Sequence, residues 1–236
     1  GALGAALWAY HMVLNKPRTF SMTHAYWGES HGTDQVQKFL RDNNVSFEEI
    51  DDNDRMVSRV VDSLLKGKVV GWYQDKTEWG PRALGNRSIL ANPGLSEMKE
   101  IVNAKIKYRE PFRPFAPSVV AEASERYFDL PGAQNHYPAR FMLYVAPVHE
   151  NQRDSIPAVT HVDGTARPQV VHSAVSPRYH QLISTLGEAS GTPVVLNTSF
   201  NLRGEPIVNR PEEAYSTFAR SELDLLVMDR FICFKD

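Results

Sequence analysis

The chain has 236 residues, enough to bury a sizeable core as one domain or two small ones. A formal net charge of -2 excludes a chain-wide electrostatic grip on nucleic acid or on a membrane surface and leaves only a local basic patch. The single cysteine, Cys233, excludes an internal disulfide and fits a reducing, cytoplasmic setting, and no apolar run reaches the roughly 18 to 20 residues of a membrane span.

In chain order, residues 1–14 (GALGAALWAYHMVL) favour a helix that packs on something, and they lack the basic start of a signal peptide. Residues 15–32 are polar and irregular and read as a linker. Thr33 is placed to cap a helix over TDQVQKFLRDNN, with Val36, Phe39 and Leu40 on one face. VSFEEI is a short strand candidate. DRMVSRVVDSLLKG carries apolar residues at 56, 57, 60, 61, 64 and 65, a helical spacing that Gly67 can stop. VVGWY reads as a strand that runs into a Gly-containing loop, TEWGPRALGNRS (77–88). SEMKEIVNAKIKY is a basic helix, FAPSVVA and RFMLYVAPV are strands, and SPRYHQLISTLGEASG is a helix with Gly191 near its end. TPVVLNTS is a strand entering a polar loop. Pro211 opens a helix over PEEAYSTFARS, and LDLLVMD with RFICFK makes a final strand pair. This alternation predicts an α/β or α+β fold.

Four segments carry candidate chemistry. In the 77–88 loop, Gly80 and Gly85 let the backbone approach a ligand, and Arg82 and Arg87 are residues that bind phosphate with two-pronged hydrogen bonds. A tight turn with solvated arginines competes evenly with that reading. In KIKYREPFRPFAPS (105–118), an extended backbone would put Lys107, Arg109 and Arg113 on one side. Such a row of cations repels itself unless an anion sits there, and Pro111, Pro114 and Pro117 stiffen it, so a site is favoured over a solvated basic edge. In VTHVDGTARPQVV (159–171), His161, Asp163 and Arg167 flank a Gly turn, as in a hairpin. His161 and Asp163 would share a strand face as metal ligands do, but one pair is far from a metal site. In VVLNTSFNLRGEPIV (194–208), Asn197, Thr198, Ser199 and Asn201 offer uncharged donors to phosphate or ribose, or else close turns onto their own backbone. Cys233, in FICFK, fits a buried structural cysteine better than a nucleophile. The nucleotide loops GxxxxGK[ST] and GxGxxG are absent from the sequence.

Taken in order, GPRALGNRSIL, KYREPFRPFAPSV, THVDGTARPQVV and NTSFNLRGEPIV resemble the C-terminal part of the O-carbamoyltransferases of the nodulation and antibiotic-tailoring type, from about residue 60 to about residue 230. GALGAAL resembles the end of the preceding domain in that family, an actin-like ATPase fold related to the tRNA threonylcarbamoyl-transfer proteins. The resemblance implies that residues 1–32 are the end of the actin-like catalytic domain plus linker. Residues 33–236 would be a YrdC-like domain, a twisted mixed sheet with flanking helices and a basic concave face. It implies that this domain makes carbamoyl-adenylate from carbamoyl phosphate and ATP, with ATP a substrate accompanied by Mg2+. The actin-like domain, with its own metal, would pass the carbamoyl group to an alcohol. Carried over, Arg87, Lys107, Arg109 and Arg167 are the candidate catalytic group, and Arg82, Arg113, Asn197, Ser199 and Asn201 the candidate substrate contacts. The stretch QDKTEWGPRALG departs from the family, which often has an arginine before this loop; Lys76 or Thr77 stands in its place.

The chemistry is consistent with these residue types. Carbamoyl phosphate and ATP bring dense negative charge, and attack of a carbamate oxygen on the α-phosphate is promoted by positioning and charge neutralisation without a side-chain nucleophile. The alternative is a basic RNA-binding module of YrdC-like fold, and a third reading is a purely structural domain. An RNA surface would spread its cations widely, whereas here they cluster beside Gly, Pro and Asn/Ser loops. The expected partners are therefore carbamoyl phosphate, ATP and the N-terminal domain, with no membrane and no nucleic acid.

Overall fold

A computed structural model describes residues 1–108, 110 and 113–235. Its helices are α1 (Ala2–Trp8), α2 (Thr33–Asp42), α3 (Asn53–Leu65), α4 (Met98–Val102), α5 (Ser124–Tyr127), α6 (Tyr137–Arg140), α7 (Pro177–Ser190) and α8 (Pro211–Arg220). Its strands are β1 (Tyr26–Ser30), β2 (Phe47–Glu49), β3 (Val70–Tyr73), β4 (Lys76–Glu78), β5 (Arg87–Ala91), β6 (Ala116–Val120), β7 (Ala146–Pro147), β8 (Thr165–Ala166), β9 (Gln169–Val171), β10 (Val194–Ser199), β11 (Leu225–Met228) and β12 (Phe231–Phe234).

Eight strands form one mixed sheet in the order β2-β12-β11-β3-β5-β10-β6-β9. β11 runs parallel to β3 and β6 parallel to β9; the other neighbours are antiparallel. Because side chains alternate along a strand, each strand feeds two cores. Val70 and Trp72 pack with Val57, Val60, Val61 and Leu64 of α3 and Leu182, Ile183 and Leu186 of α7. Val69 and Tyr73 join the opposite core, with Val36 and Leu40 of α2, Val102 of α4 and Phe218 of α8. Helix α3 starts where the Asp52 carboxylate accepts the Arg55 N–H at 2.9 Å, and the chain turns left-handed at Gly67 (φ +74°) just beyond it. Helix α7 begins at Pro177 and ends at left-handed Gly191 (φ +79°).

The mixed sheet flanked by helices agrees with the sequence reading, but several elements differ. The supposed linker holds β1, which pairs antiparallel with β4. Thr33 is the first helical residue, after an N-cap at Gly32, and its hydroxyl donates instead to the Asp229 carboxylate at 2.5 Å. The stretch RFMLYVAPV is not a strand. Arg140 ends α6, Met142 is left-handed (φ +57°), and pairing is confined to Ala146 and Pro147, with β8, and a single bridge from Val148 to Phe128. Residues 159–171 are not a hairpin: β8 pairs with β7, while β9 leaves to join β6 in the large sheet. Lys107 closes the helical turns after α4 and Tyr108 is left-handed (φ +46°), so the run from 107 does not begin extended. Helix α1 has no buried residue, and Trp8, Met12, Val13 and Leu14 beside it are exposed.

Candidate functional site

Strand directions bring the four sequence segments to one end of the sheet. β10 lies between β5 and β6 and runs against both, so Ser199 at its C-terminal end faces Ser88 near the start of β5, and Asn197 faces Ala116 at the start of β6. β9 runs parallel to β6, so its start, Gln169, sits beside Ser118. The 79–86 loop before β5, the segment before β6, Arg167 before β9 and the polar end of β10 therefore meet at one edge, although they lie far apart in sequence.

A small recess of about 80 Å3 opens there, lined by Arg82, Arg167, Asn197, Thr198, Ser199 and Met142 among others. Both guanidiniums are half-buried, and the Nε of each is buried without a hydrogen-bond partner. Among the described residues neither arginine makes an ion pair, and the contact found for Arg167 is a long 4.0 Å one to the Met142 sulfur. Burial, and then the Arg82 charge nearby, lower the Arg167 pKa. Two like charges held together out of water are unfavourable unless an anion completes them.

The other cations play different parts. Lys107 is 1% exposed, and its ammonium donates to Ser199 O at 2.6 Å, Asn201 O at 2.9 Å, Asn201 Oδ1 at 2.7 Å and Ser199 Oγ at 3.3 Å. It ties the Ser199–Asn201 turn from behind. Asn201 Nδ2 in turn holds Glu205 O at 2.7 Å. Arg87 is fully buried. Its guanidinium lies 3.6 Å from the Tyr73 ring centre and donates to the carbonyls of Gln74, Asp75, Asn86 and Asn209. It is committed to backbone and does not line the recess. Arg113 is exposed, 3.8 Å from Glu110, and lines a separate recess with Tyr108 and Lys99 across Phe115. Lys105 pairs with Asp224 at 2.8 Å. Arg109 lies outside the described residues.

The loop that sequence reasoning singled out has an occupant of its own. Glu78, at the end of β4, is 7% exposed, and its Oε1 accepts the backbone N–H of Leu84 and Asn86 at 2.7 Å and of Arg87 at 3.2 Å. Beneath it runs a buried polar network. Asn197 Nδ2 donates to Ala83 O, Ser118 Oγ and Gln169 Oε1, and Gln169 Nε2 donates to Leu84 O at 2.7 Å. Sequence reasoning missed Glu78, Ser118 and Gln169; their only signal was a polar residue at a strand terminus or inside an apolar strand.

His161 and Asp163 close a turn on themselves. Asp163 Oδ1 accepts from Thr165 N at 3.0 Å and Thr165 Oγ1 at 2.7 Å, and these bonds hold the carboxyl below its usual range. Among the described residues no cluster of three or more His, Cys, Asp or Glu is placed to hold a metal ion. A larger recess of about 370 Å3 lies beside the start of α7. Its arginine, Arg178, is already paired with Asp229 at 2.9 Å and bonded to Gln74 and Asn53. No described helix is long and apolar enough to cross a membrane.

Residues 61–235 match the family model described as Carbamoyltransferase C-terminus. The chain is 40% identical over 234 residues to nodulation protein NolNO of Sinorhizobium fredii, covering 98% of this chain and 34% of that protein. It is 40% identical over 148 residues to the 3'-hydroxymethylcephem-O-carbamoyltransferase of Streptomyces clavuligerus, covering 63% of this chain and 27% of that enzyme. The chain thus spans about a third of the length of these curated relatives. Among solved structures, full-length HypF in its phosphate- and nucleotide-bound form overlaps 75% of this chain and 21% of its own, with a TM-score of 0.48 and 19% identity.

Proposed function

Because the chain belongs to the carbamoyltransferase C-terminal family, we propose that it is the part of a carbamoyltransferase that binds carbamoyl phosphate and ATP and forms carbamoyl-adenylate. A further domain then moves the carbamoyl group to a hydroxyl acceptor. The O-carbamoyltransferase among its relatives supports an oxygen acceptor.

One observation carries this reading: Arg82 and Arg167 share a small recess, unpaired and with buried Nε atoms lacking partners, beside the polar end of β10 at Asn197, Thr198 and Ser199. Guanidiniums without carboxylates suit phosphoryl oxygens, which accept from a planar fork. In this reading water cleaves carbamoyl phosphate to carbamate and inorganic phosphate, and a carbamate oxygen then attacks the α-phosphorus of ATP as the bond to pyrophosphate breaks and pyrophosphate leaves. Arg82 and Arg167 offset the charge on the phosphoryl oxygens. Lys107 fixes the Ser199–Asn201 turn, in which the Ser199 hydroxyl donates to Asn201 Oδ1 at 2.6 Å, and so shapes the edge of the recess. Arg87 acts indirectly, by holding the backbone under the loop. A Mg2+ ion would enter as part of the nucleotide substrate, carried on its phosphates.

Calorimetric titration of ATP and of carbamoyl phosphate at fixed salt tests the proposal. Arg82→Ala and Arg167→Ala should each weaken binding at least tenfold, the worth of about 1.4 kcal/mol or more from a charge-assisted bond. Unchanged affinity in both folded variants would overturn it. Tight, steeply salt-dependent binding of RNA with no nucleotide affinity would favour the alternative module.

A further inference from the structure

We infer that Glu78 is a positioning residue for the anion site: its buried carboxylate holds the 79–87 loop in the one shape that delivers Arg82 to the recess. This rests on the anion-site reading above. Glu78 does not line the recess itself. Instead its Oε1 gathers three backbone donors, Leu84, Asn86 and Arg87, at 2.7, 2.7 and 3.2 Å, while the Gly85 N–H between them turns to Ser88 Oγ. Both ends of the loop are thereby pinned. At the near end Trp79 N donates to Ala25 O at 2.6 Å, and at the far end Leu84 hangs on the carboxylate. Arg82 lies two residues before that anchor and directly after Pro81, whose fixed φ removes slack.

The carbonyl side of the same loop is bolted independently. Ala83 O accepts from Asn197 at 3.2 Å, and Leu84 O accepts from Tyr26 and Gln169, each at 2.7 Å. Those donors reach the loop from β10, β1 and β9. An acceptor below and donors above leave the backbone around Arg82 a single path. Removing the acceptor leaves several inward-facing N–H groups without a partner, which a loop escapes by moving.

The carboxylate is also a charge kept in an unusual place. Its Oε2 is buried with no hydrogen-bond partner. The groups that face it are Tyr26 of β1, Arg87 of β5 and Tyr179 of α7. Burial raises its pKa, opposed by the amides and by Arg87. The ionised form, present above that raised value, is the one that grips the amides. Acidification therefore removes the grip, and with it Arg82's placement. Protonation of His161, which lies near Arg167, would instead add positive charge and tighten anion binding at low pH, the opposite sign.

The test uses inorganic sulfate, a tetrahedral dianion whose charge is constant over the range studied, titrated into the intact chain. Arg82→Ala should weaken sulfate strongly. Glu78→Gln should weaken it roughly tenfold and Glu78→Ala more, and neither should weaken it further in the Arg82→Ala background, because Glu78 works through Arg82. Sulfate affinity of the parent should fall on the acid side, and that fall should be absent in Glu78→Gln. If the parent binds no sulfate, or Arg82→Ala binds it as well as the parent, the anion site fails and this inference with it. If Arg82→Ala weakens binding but both Glu78 variants bind like the parent, or the Glu78 effect persists in full without Arg82, only the positioning role falls. Should the Glu78 variants not fold, the pH profile of a His161→Asn variant, which lacks the opposing titration, decides, and a flat profile there overturns the role.

Discussion

Replacing Arg87 with Met separates a structural cation from a ligand-binding one. The change keeps roughly the length and apolar stem of the side chain and deletes the guanidinium. The carbonyls of Gln74 and Asp75 receive no other hydrogen bond among the described residues; Asp75 is exposed and water can reach its carbonyl, so the Gln74 carbonyl is the one left bare in a buried site. The carbonyls of Asn86 and Asn209 keep a second donor, Gln74 N at 2.9 Å and the Tyr73 hydroxyl at 2.8 Å. One orphaned buried acceptor costs about 1–3 kcal/mol. Loss of the desolvated stacking on Tyr73 adds up to about 2 kcal/mol. Against this, the variant no longer buries a charge, a burial large enough to lower the arginine's own pKa. The net is about 1–4 kcal/mol. At roughly 2–4 °C per kcal/mol for a domain of this size, the melting temperature should drop by about 2–16 °C. Scanning calorimetry reads it directly. A variant that melts with the parent yet loses anion affinity would show that Arg87 is a ligand contact, and would refute the assignment of its donors to backbone.

Gly85→Ala should destabilise by roughly 2–6 kcal/mol, because the backbone is at φ +112° and a Cβ would sit 2.3 Å from the Tyr179 ring. Gly204→Ala, at φ +82° in open space, should cost only the strain, and equal urea midpoints for the two would contradict this account. Cys233 is fully buried in β12 and burial pushes its thiol up to about 12, so the group stays protonated through pH 6 to 9. Disulfide-exchange labelling should track unfolding, and modification of the native protein at the rate of a free thiol would refute that.

The elements legible in the sequence were those whose pattern is set by their own core face. Helix α3 shows its apolar residues at helical spacing, and β10, β11 and β12 are apolar runs bounded by polar turns. β1 was missed because Tyr26–Ser30 is largely polar; it is a strand because β4 lies beside it, not because of its own residues. RFMLYVAPV misled in the other direction. Its apolar residues read as a strand, yet Leu143, Tyr144 and Val145 are exposed and Met142 turns left-handed. The meeting of Arg82, Arg167, Asn197 and Ser199 follows from strand order, which local pattern does not encode. Basic residues near a candidate anion site also look alike in sequence. Only burial separates Lys107 and Arg87, which hold backbone, from Arg82 and Arg167, which face the recess, and Arg113, which faces solvent.

The parallel pairing of β3 with β11 has a kinetic side. Val69 N donates to the Asp224 carboxylate across a separation of 155 residues, and β11 and β12 then continue the sheet to β2. During synthesis, β3 waits with one flank unpaired until β11 has emerged, and α3 and α7 cover a sheet that is still half-finished. Such late, long-range closure predicts slow folding and a pre-closure species that displays the β3 edge to other chains. Expression at low temperature, or at low chain concentration, should raise the soluble yield by giving the β11–β12 ribbon time to arrive before a neighbouring molecule does.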